Sequence, residues 1–511
     1  MKTLELNGKN LNLDNLKKIV YGGYTVSITK DSENKIKRCR KIVEEIIENE
    51  TVKYGINTGF GKFSSVVINK ENTVRLQKNI ILSHAVGVGK PLPEDIVKGV
   101  MLLKLNSFLK GYSGVRYKVA LTLIKMINNG VIPYIPEKGS VGASGDLAPL
   151  SHMALVMTGK GKAFYKGKLI SGKKAMELAD IAVLVLQQKE GLAILNGTQV
   201  MTSIAAVCLL KANTLIKTAD ITGAMTLEAL RGTLSAFDKR IQDARPHPGQ
   251  IDTAENIRRL LKDSDIIKSH IKCSKVQDAY SLRCIPQVHG AVKDTFNHVK
   301  RTVEIEMNSV TDNPLVFEND HDIISGGNFH GEPIAFVMDF MGIAISELAS
   351  ISERRIEYML DAATNDELPA FLINNGGINS GHMMTQVTAA ALVSENKVLA
   401  HPASVDSIPT SSNKEDHVSM GTHAARKLLE ILDNVGNVIS IELLCAAQAL
   451  DFRDPEKASK ATGSVYKLIR SKVKFMKNDR FIHPDIVTLN NFVTSGAVLE
   501  AAENISGKLT I

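Results

Sequence analysis

Four long stretches of this chain carry apolar residues at helical spacing with few helix-breaking residues, and they constrain the fold more than any other feature. They cover residues 97–128, 199–230, 334–360 and 419–450. Each is much longer than an average α-helix of ~11–12 residues. Apolar positions that recur every three to four residues predict amphipathic or buried helices. We therefore expect a mainly α-helical protein built as a bundle of long helices.

Strand signals are few and short. Residues 24–28 and 163–170 predict two small β-ribbons. Polar or Gly-rich loops interrupt the helices, and many of them fall in the first half of the chain. We expect a loop-rich N-terminal portion, residues 1–225, followed by a C-terminal bundle of long helices, residues 226–511.

Composition argues against several classes of protein. The net charge is +8, but basic and acidic residues are interleaved and aromatic residues are only 5% of the chain, so we do not expect a nucleic-acid partner. No uninterrupted apolar run reaches the ~20 residues of a membrane span, and the first residues lack the apolar segment of a signal peptide. The five cysteines contain no C-x-x-C pair, which favours a reducing cytoplasm and argues against structural zinc. His417 and His423 are six residues apart rather than the four of a helical zinc pair, so we expect no bound metal.

The loop at residues 139–149, Gly-Ser-Val-Gly-Ala-Ser-Gly-Asp-Leu-Ala-Pro, carries the most distinctive chemistry. Gly145 has no Cβ to shield its nitrogen, which can therefore reach the carbonyl carbon of Ala143 and close a five-membered ring with loss of water. Loss of the Ser144 hydroxyl as a second water would leave an exocyclic methylene. The product is a carbon electrophile, which no unmodified side chain offers.

Other loop chemistries fit these residues poorly. The loop has no Gly-Lys-Ser/Thr, so it does not match a phosphate-binding P-loop. The spacing around Ser144 also differs from the Gly-x-Ser-x-Gly of a nucleophile elbow. A plain Gly-rich loop before a helix stays the alternative when the tripeptide is considered alone.

Further loops carry side chains that could act as bases, bind carboxylates or contact an aromatic ring. In isolation each has an ordinary structural explanation, such as a turn, a helix cap or a surface ion pair. Tyr280 and Arg283 are three residues apart, so on a helix they share a face. The candidate residues are Tyr54, His84, Asn196, Gln277, Tyr280, Arg283, Asn328, Phe329 and Glu415.

In this order, and together with Ala143-Ser144-Gly145, these motifs resemble the aromatic amino acid ammonia-lyase family over nearly the whole chain. The resemblance implies a mainly α, fumarase/aspartase-like bundle of long helices, with a loop-rich N-terminal portion that carries the prosthetic group. That group would be 4-methylidene-imidazole-5-one, formed autocatalytically from Ala143, Ser144 and Gly145 without an external cofactor. The resemblance also implies a homotetramer whose active sites draw on three subunits.

The resemblance further implies roles for individual residues. Arg283 would hold the substrate carboxylate, and His84 and Glu415 would orient an imidazole, so that L-histidine is the expected substrate and trans-urocanate and ammonia the products. Asn196, Gln277 and Asn328 would hydrogen-bond the prosthetic ring or the substrate, and Phe329 would lie beside both. Tyr54 is our first choice as the base that removes the β-proton, and Tyr280 the second.

Several alternatives stay open at this stage. The residues are compatible with attack on the methylene by the amine of the substrate and also with attack by the imidazole ring of the substrate. A phenylalanine or tyrosine lyase lacks the pairing of Ser83-His84 with Glu415, whereas an aminomutase is harder to separate by sequence. A non-catalytic scaffold would be expected to have lost Ser144, Tyr54 or Arg283. One departure from the family pattern is Lys414, where Gln is usual; a cation there could lower the pKa of Glu415.

Overall fold

Helices dominate the computed structural model, which describes residues 2–49, 51–270 and 276–511. The α-helices are α1 (Leu13–Val20), α2 (Lys30–Glu48), α3 (Lys70–His84), α4 (Glu94–Phe108), α5 (Tyr117–Asn129), α6 (Leu147–Met157), α7 (Gly172–Leu178), α8 (Glu190–Leu195), α9 (Gln199–Ala229), α10 (Lys239–Ala244), α11 (Pro248–Leu260), α12 (Asp265–Ser269), α13 (Tyr280–Arg283), α14 (Ile285–Met307), α15 (Glu332–Leu360), α16 (Met383–Leu399), α17 (Gly421–Asp451), α18 (Lys460–Arg470), α19 (His483–Ser495) and α20 (Ala497–Ser506). Short 3₁₀ helices occur at Gly61–Phe63, Ser235–Phe237, Ala370–Leu372 and Pro455–Lys457. The predicted mainly α fold is confirmed.

Three of the four predicted long helices are continuous. They are α9, α15 and α17, of 31, 29 and 31 residues. The fourth prediction, a single helix over residues 97–128, is wrong, because the chain forms α4 and α5 there. Gly111 and Gly114 in the connection have φ of +76° and +67°, a left-handed conformation that ends a right-handed helix.

The strands form small sheets. They are β1 (Thr3–Leu6), β2 (Thr25–Ile28), β3 (Val88–Pro91), β4 (Ile132–Pro133), β5 (Pro136–Lys138), β6 (Lys162–Tyr165), β7 (Lys168–Ser171), β8 (Leu315–Phe317) and β9 (Asp322–Ile324). The ribbon predicted at 24–28 contains β2, which pairs in parallel with β1. The ribbon predicted at 163–170 contains most of the β6–β7 hairpin, whose two turn residues, Lys166 and Gly167, both have positive φ, as a tight hairpin turn requires. Strands β4, β6 and β7 form one antiparallel sheet, and β3–β5 and β8–β9 are antiparallel pairs.

The chain divides into two compact units, each assembled from three segments. Unit 1 contains Met1–Val207, Lys300–Asp339 and Pro402–Arg426, and unit 2 contains Cys208–Val299, Phe340–His401 and Lys427–Ile511. The units interleave along the sequence, whereas the sequence analysis divides the chain once, into 1–225 and 226–511. That division stays a prediction about where the prosthetic-group loop and the long helices lie.

Unit 2 buries charged side chains among its long helices. Glu442 accepts hydrogen bonds from Arg355 through both carboxylate oxygens, at 2.5 and 2.8 Å, and both side chains are fully buried. Asp220 pairs in the same way with Lys293 at 2.7 Å and with His289 at 2.8 Å. Buried charges are tolerated only when they are paired, so these contacts favour one alignment of the helices over others.

Two helices, α9 and α15, are long and apolar enough by length and composition to cross a membrane. Of their most apolar windows, 78% and 61% are buried inside the protein, which is typical of core helices. Cys273 lies outside the described residues. Of the other four cysteines, Cys39, Cys208 and Cys445 are buried and Cys284 is partly exposed.

Candidate active site

The Ala-Ser-Gly tripeptide forms a compressed turn between β5 and α6. Ala143 and Gly145, two residues apart, pair with each other as an isolated antiparallel bridge, and Gly145 also pairs in parallel with Gly197. Gly145 has φ of +72°, and a Cβ on it would lie 2.2 Å from the carbonyl oxygen of Gly197. Only glycine fits this position, because any side chain would meet both an unfavourable φ and a backbone clash.

Asp146 fixes this turn to the start of α9. Its side chain is fully buried, and its Oδ2 accepts hydrogen bonds from the backbone N–H groups of Val200 at 3.0 Å and Met201 at 2.9 Å. Its Oδ1 accepts from the hydroxyls of Ser140 at 2.9 Å and Thr422 at 2.5 Å. Burial raises the pKa of Asp146, and these hydrogen bonds act in the opposite direction.

Glu415 is held against the tripeptide by a strained loop. Thr410 and Glu415 pair as an isolated antiparallel bridge, and the loop between them contains three consecutive left-handed residues, Ser411, Ser412 and Asn413. The Oε2 of Glu415 accepts hydrogen bonds from the hydroxyls of Ser411 at 2.6 Å and Thr410 at 3.1 Å. Its Oε1 accepts a short hydrogen bond from the Ser144 hydroxyl. The carboxylate therefore reaches the residue that would become the electrophile.

A cavity of about 900 Å³ opens over Ser144 and lies wholly within unit 1. Its size is that of a small-molecule site. The predicted site residues that line it are Tyr54, His84, Ser144, Asn196, Phe329 and Glu415, and Lys414 lines it as well. Ala143 and Gly145 lie in the turn beside it. Asn328 does not line this cavity; it is exposed, and its Nδ2 donates to the carbonyl of Val310 at 3.4 Å.

Two of the lining residues have shifted pKa values. Burial raises the pKa of Tyr54, the charge of Glu415 acts in the same direction, and a hydrogen bond with the backbone of Gly61 acts against them. Burial lowers the pKa of His84, whose Nδ1 lies 3.0 Å from the Ser83 hydroxyl. His84 is therefore favoured as a neutral imidazole that can both donate and accept a hydrogen bond. The shift of Tyr54 is opposite to the one that a tyrosinate base needs.

Gln277, Tyr280 and Arg283 lie in unit 2 and are not among the residues that line this cavity. Tyr280 and Arg283 form the short helix α13, where the guanidinium lies 5.2 Å from the centre of the tyrosine ring. Tyr280 is 71% exposed, and Gln277 is also exposed. Two of the residues expected at the site are therefore displayed on the surface of a single chain, and Arg283 is half-buried, with its Nε donating to the carbonyl oxygen of Asp278 at 2.9 Å.

Sequence reasoning missed Lys104, whose side chain contacts the backbone of Asn196. Lys104 is almost fully buried, and its Nζ donates to the carbonyl oxygens of Ala193 at 3.1 Å and Asn196 at 2.5 Å. Burial lowers the pKa of Lys104 to about 7. The sequence did offer a signal, because Lys104 interrupts the apolar run Val-Met-Leu-Leu-Lys-Leu at residues 100–105 of α4. The Nδ2 of Asn196 donates to the carbonyl of Asn313 at 2.8 Å, so this residue is held through both its backbone and its side chain.

Comparison with known proteins places the chain in a class. The family model described as aromatic amino acid lyase matches residues 11–471. The chain therefore belongs to the aromatic amino acid lyase family, and its mainly helical fold agrees with this membership.

Individual relatives are similar over the whole chain. The chain is 54% identical to the histidine ammonia-lyase of Alkaliphilus oremlandii over 98% of its length and 99% of that protein. It is 52% identical to the histidine ammonia-lyase of Treponema denticola, with 99% of each chain covered. Among solved structures, the histidine ammonia-lyase from Trypanosoma cruzi has a TM-score of 0.91 and 39% identity, covering 99% of this chain and 95% of that one. A tyrosine aminomutase from Streptomyces globisporus has a TM-score of 0.95 and 36% identity, covering 99% and 100%.

Proposed function

We propose that this protein is a cytoplasmic histidine ammonia-lyase, which eliminates ammonia from L-histidine to give trans-urocanate, the first step of histidine degradation. The observation that carries the proposal is the contact between the Ser144 hydroxyl and the Glu415 carboxylate inside one cavity. This contact brings Ser144, which would form the electrophile, together with Glu415, which would select the substrate. The identities of 54% and 52% to two histidine ammonia-lyases support the same assignment.

The tripeptide fits the prosthetic group 4-methylidene-imidazole-5-one. Ring closure needs the nitrogen of Gly145 close to the carbonyl carbon of Ala143, and the bridge between these two residues already folds the chain back on itself. The buried anchor at Asp146 would hold this turn while one water leaves in ring closure and a second leaves from Ser144. Once formed, the group supplies a carbon electrophile that makes the substrate amine a better leaving group. No external cofactor is needed.

Glu415 and His84 would recognise the imidazole of the substrate through hydrogen bonds. The carboxylate of Glu415 accepts a hydrogen bond from an imidazole N–H, and a neutral His84 can hydrogen-bond the ring from the other side. A phenyl ring offers no such donor, so Glu415 would be desolvated without a partner. Sites that hydrogen-bond a substrate N–H or O–H discriminate against the analogue lacking it by about 10⁴–10⁵-fold.

The phenolic oxygen of Tyr54 would accept the β-proton, with Tyr280 as the alternative base. Burial and Glu415 raise the pKa of Tyr54 in the single chain although Lys414 also lines the cavity, so this role requires a further positive charge close to the phenol. Arg283 is such a charge, and it lies in unit 2 outside the lining of this cavity. We assign Gln277, Tyr280 and Arg283 to the cavity of another copy of the chain, in a homotetramer with shared active sites.

Mixed oligomers test this sharing. Tyr54→Phe and Arg283→Ala, each of which we expect to be inactive alone, are co-expressed with different affinity tags, and the doubly tagged oligomers are isolated. Shared sites predict that activity returns, because some cavities combine an intact Tyr54 with an intact Arg283 from a neighbour. Doubly tagged oligomers without activity would contradict the sharing but leave the reaction itself untouched.

The reaction is tested by incubating the protein with L-histidine, L-phenylalanine and L-tyrosine while urocanate absorbance and free ammonia are measured. We expect urocanate and ammonia in equal amounts from histidine only. Equal turnover of phenylalanine would refute the substrate, and a β-amino acid without free ammonia would identify an aminomutase. Intact mass should be lower than the sequence mass by two waters, and Ser144→Ala should restore at least part of that difference.

Single variants distinguish a loss of substrate recognition from a failure to form the prosthetic group. Glu415→Ala should lower histidine turnover severely while the mass deficit persists. Asp416→Asn is the matched control, because Asp416 is the adjacent exposed acid and does not line the cavity. A Glu415→Ala enzyme as active as the Asp416→Asn enzyme would refute the role of Glu415.

A further inference from the structure

A half-buried histidine on α6 contacts the chain shortly after His84. His152 lies in the middle of α6, the helix that begins at Leu147, directly after the prosthetic-group turn. Its Nε2 accepts a hydrogen bond from the backbone N–H of Gly87 at 3.1 Å. This contact joins the helix that follows the electrophile to the turn that follows a residue of the proposed substrate site.

The direction of this hydrogen bond fixes the state of the His152 ring. An Nε2 that accepts a hydrogen bond carries no proton, so the ring is neutral and its proton is on Nδ1. Burial lowers the pKa of His152, which also favours the neutral ring. His152 is therefore ready to act as an acceptor for Gly87 at neutral pH.

The chain leaves His84 through a tight turn. His84 is the last residue of α3, and Ala85 follows with φ of −81° and ψ of 66°, the values of an inverse γ-turn. The backbone N–H of Val86 closes this turn by donating to the carbonyl oxygen of His84 at 2.9 Å. Gly87 is the next residue, so a shift of Gly87 would be passed directly to the end of α3 that carries His84.

Backbone contacts, rather than apolar packing, hold this turn within the chain. Val86 and Val88, on either side of Gly87, are 65% and 63% exposed. Gly87 itself fits closely between α6 and β5: a Cβ on it would lie 3.2 Å from the Nε2 of His152 and 3.3 Å from the carbonyl oxygen of Lys138. Strand β5 precedes the prosthetic-group loop and α6 follows it, so the turn after His84 is held against both ends of that loop.

We propose that His152 is a positioning residue for substrate recognition, because the hydrogen bond that it accepts from Gly87 holds His84 in place to contact the imidazole of the substrate. His152 is not among the residues that line the cavity, whereas His84 is. His152 therefore acts through His84 and contacts neither the substrate nor the prosthetic group. The inference rests on the proposed function, since it concerns how that function selects histidine.

The test compares two replacements of His152 in the full-length protein. In His152→Gln the side-chain carbonyl oxygen can accept from Gly87 in place of Nε2, whereas His152→Leu has no acceptor, and both new residues are good helix formers. We expect His152→Gln to retain most of the turnover of L-histidine. In His152→Leu the KM for L-histidine should rise by about 10–100-fold, because a misplacement of about 1 Å can cost ~100-fold. The change in kcat should be smaller, because binding that is equal in the ground and transition states appears in KM.

A double-mutant cycle with His84→Ala tests whether His152 acts through His84. If it does, adding His152→Leu to His84→Ala should change kcat/KM by less than about 2-fold, whereas independent sites give additive losses. Intact mass should show the two-water deficit in every variant, because the cycle concerns recognition and not formation of the prosthetic group. The same 10–100-fold loss in both backgrounds would overturn the proposal.

Thermal unfolding separates positioning from a purely structural role. His152→Phe keeps an aromatic ring and also lacks an acceptor, so it is the second variant if His152→Leu does not fold. A folded His152→Leu or His152→Phe protein with the KM of His152→Gln would overturn the proposal, as would failure of both to fold while His152→Gln folds. Absence of urocanate from the unaltered protein would instead refute the proposed function, and this role of His152 with it.

Discussion

Replacement of Asp146 tests how the prosthetic-group turn is held. This carboxylate is fully buried and accepts four hydrogen bonds, two from backbone amides at the start of α9 and two from hydroxyls. The helix N-terminus also favours a negative charge at this place. Asp146→Asn removes the charge and keeps an acceptor for the amides, whereas Asp146→Ala removes both. The difference between their free energies of unfolding therefore measures what the contacts to the α9 amides contribute.

In Asp146→Asn the remaining carbonyl oxygen can still accept from the amides of Val200 and Met201. The new NH₂ group faces the hydroxyls of Ser140 and Thr422, which can rotate to accept. Only the charge is lost, so the cost is the difference between charged and neutral hydrogen bonds, about 1–2 kcal/mol.

In Asp146→Ala the two amides lose their acceptor inside the protein. The hydroxyls are compensated, because Ser140 and Thr422 lie 3.0 Å apart and can bond each other. Two unsatisfied buried amides at about 1–3 kcal/mol each give a loss of about 2–6 kcal/mol. The midpoints of these two ranges make Asp146→Ala about 2–3 kcal/mol less stable than Asp146→Asn.

Urea unfolding of the two variants measures this difference, and intact mass reports whether the prosthetic group has formed. We expect the two-water deficit to persist in Asp146→Asn and to be reduced in Asp146→Ala, because the turn is less firmly held. Equal stability of the two variants would refute the reasoning that Asp146 acts through the amides of α9.

Other predictions concern single contacts. Gly145→Ala should prevent the two-water mass deficit because its Cβ would lie 2.2 Å from the Gly197 oxygen, whereas Gly130→Ala, with a similar φ of +68° and nothing within 4 Å, should mature normally; a mature Gly145→Ala protein would contradict this. Glu442→Ala should destabilise the protein by about 3–5 kcal/mol in urea unfolding because it leaves the buried Arg355 unpaired; a loss below about 1 kcal/mol would show that water or another group compensates Arg355. Burial lowers the pKa of Lys104 to about 7, so its charge destabilises the fold at lower pH and this cost is relieved as pH rises toward the ordinary lysine value. Between about pH 7 and pH 9 the unaltered protein should therefore gain up to about 3 kcal/mol relative to Lys104→Met, and parallel pH profiles of the two proteins would exclude this shift.

Local patterns were sufficient for much of the fold. Apolar periodicity predicted α9, α15 and α17, because each buries side chains along a continuous stripe. Their interior glycines, Gly223, Gly342 and Gly436, do not have positive φ and so do not end the helix. The same periodicity joined α4 to α5, because it weighs apolar spacing and overlooks two glycines that need positive φ. Chemically specific motifs also predicted six residues that line one cavity.

The supporting contacts could not be predicted, because they join residues far apart in the chain. Thr422 bonds Asp146 across 276 positions, and the carbonyls that hold Lys104 belong to α8 and to the residue that follows it, 89 and 92 positions later. No local sequence motif at Asp146 or at Lys104 predicts which residues bind it. A buried lysine in an apolar run signals that a partner exists, but only the fold identifies the carbonyl oxygens of Ala193 and Asn196 as that partner.

The loop that carries Glu415 adopts an unfavourable backbone conformation, and this conformation positions the carboxylate. Ser411, Ser412 and Asn413 all have left-handed φ values, between 53° and 63°, and such a conformation costs about 1–2 kcal/mol per non-glycine residue. The hydroxyls of Thr410 and Ser411 offset part of this by donating to Glu415. Strain of this kind persists only where surrounding contacts impose it, and here those contacts meet at the carboxylate that would select the substrate.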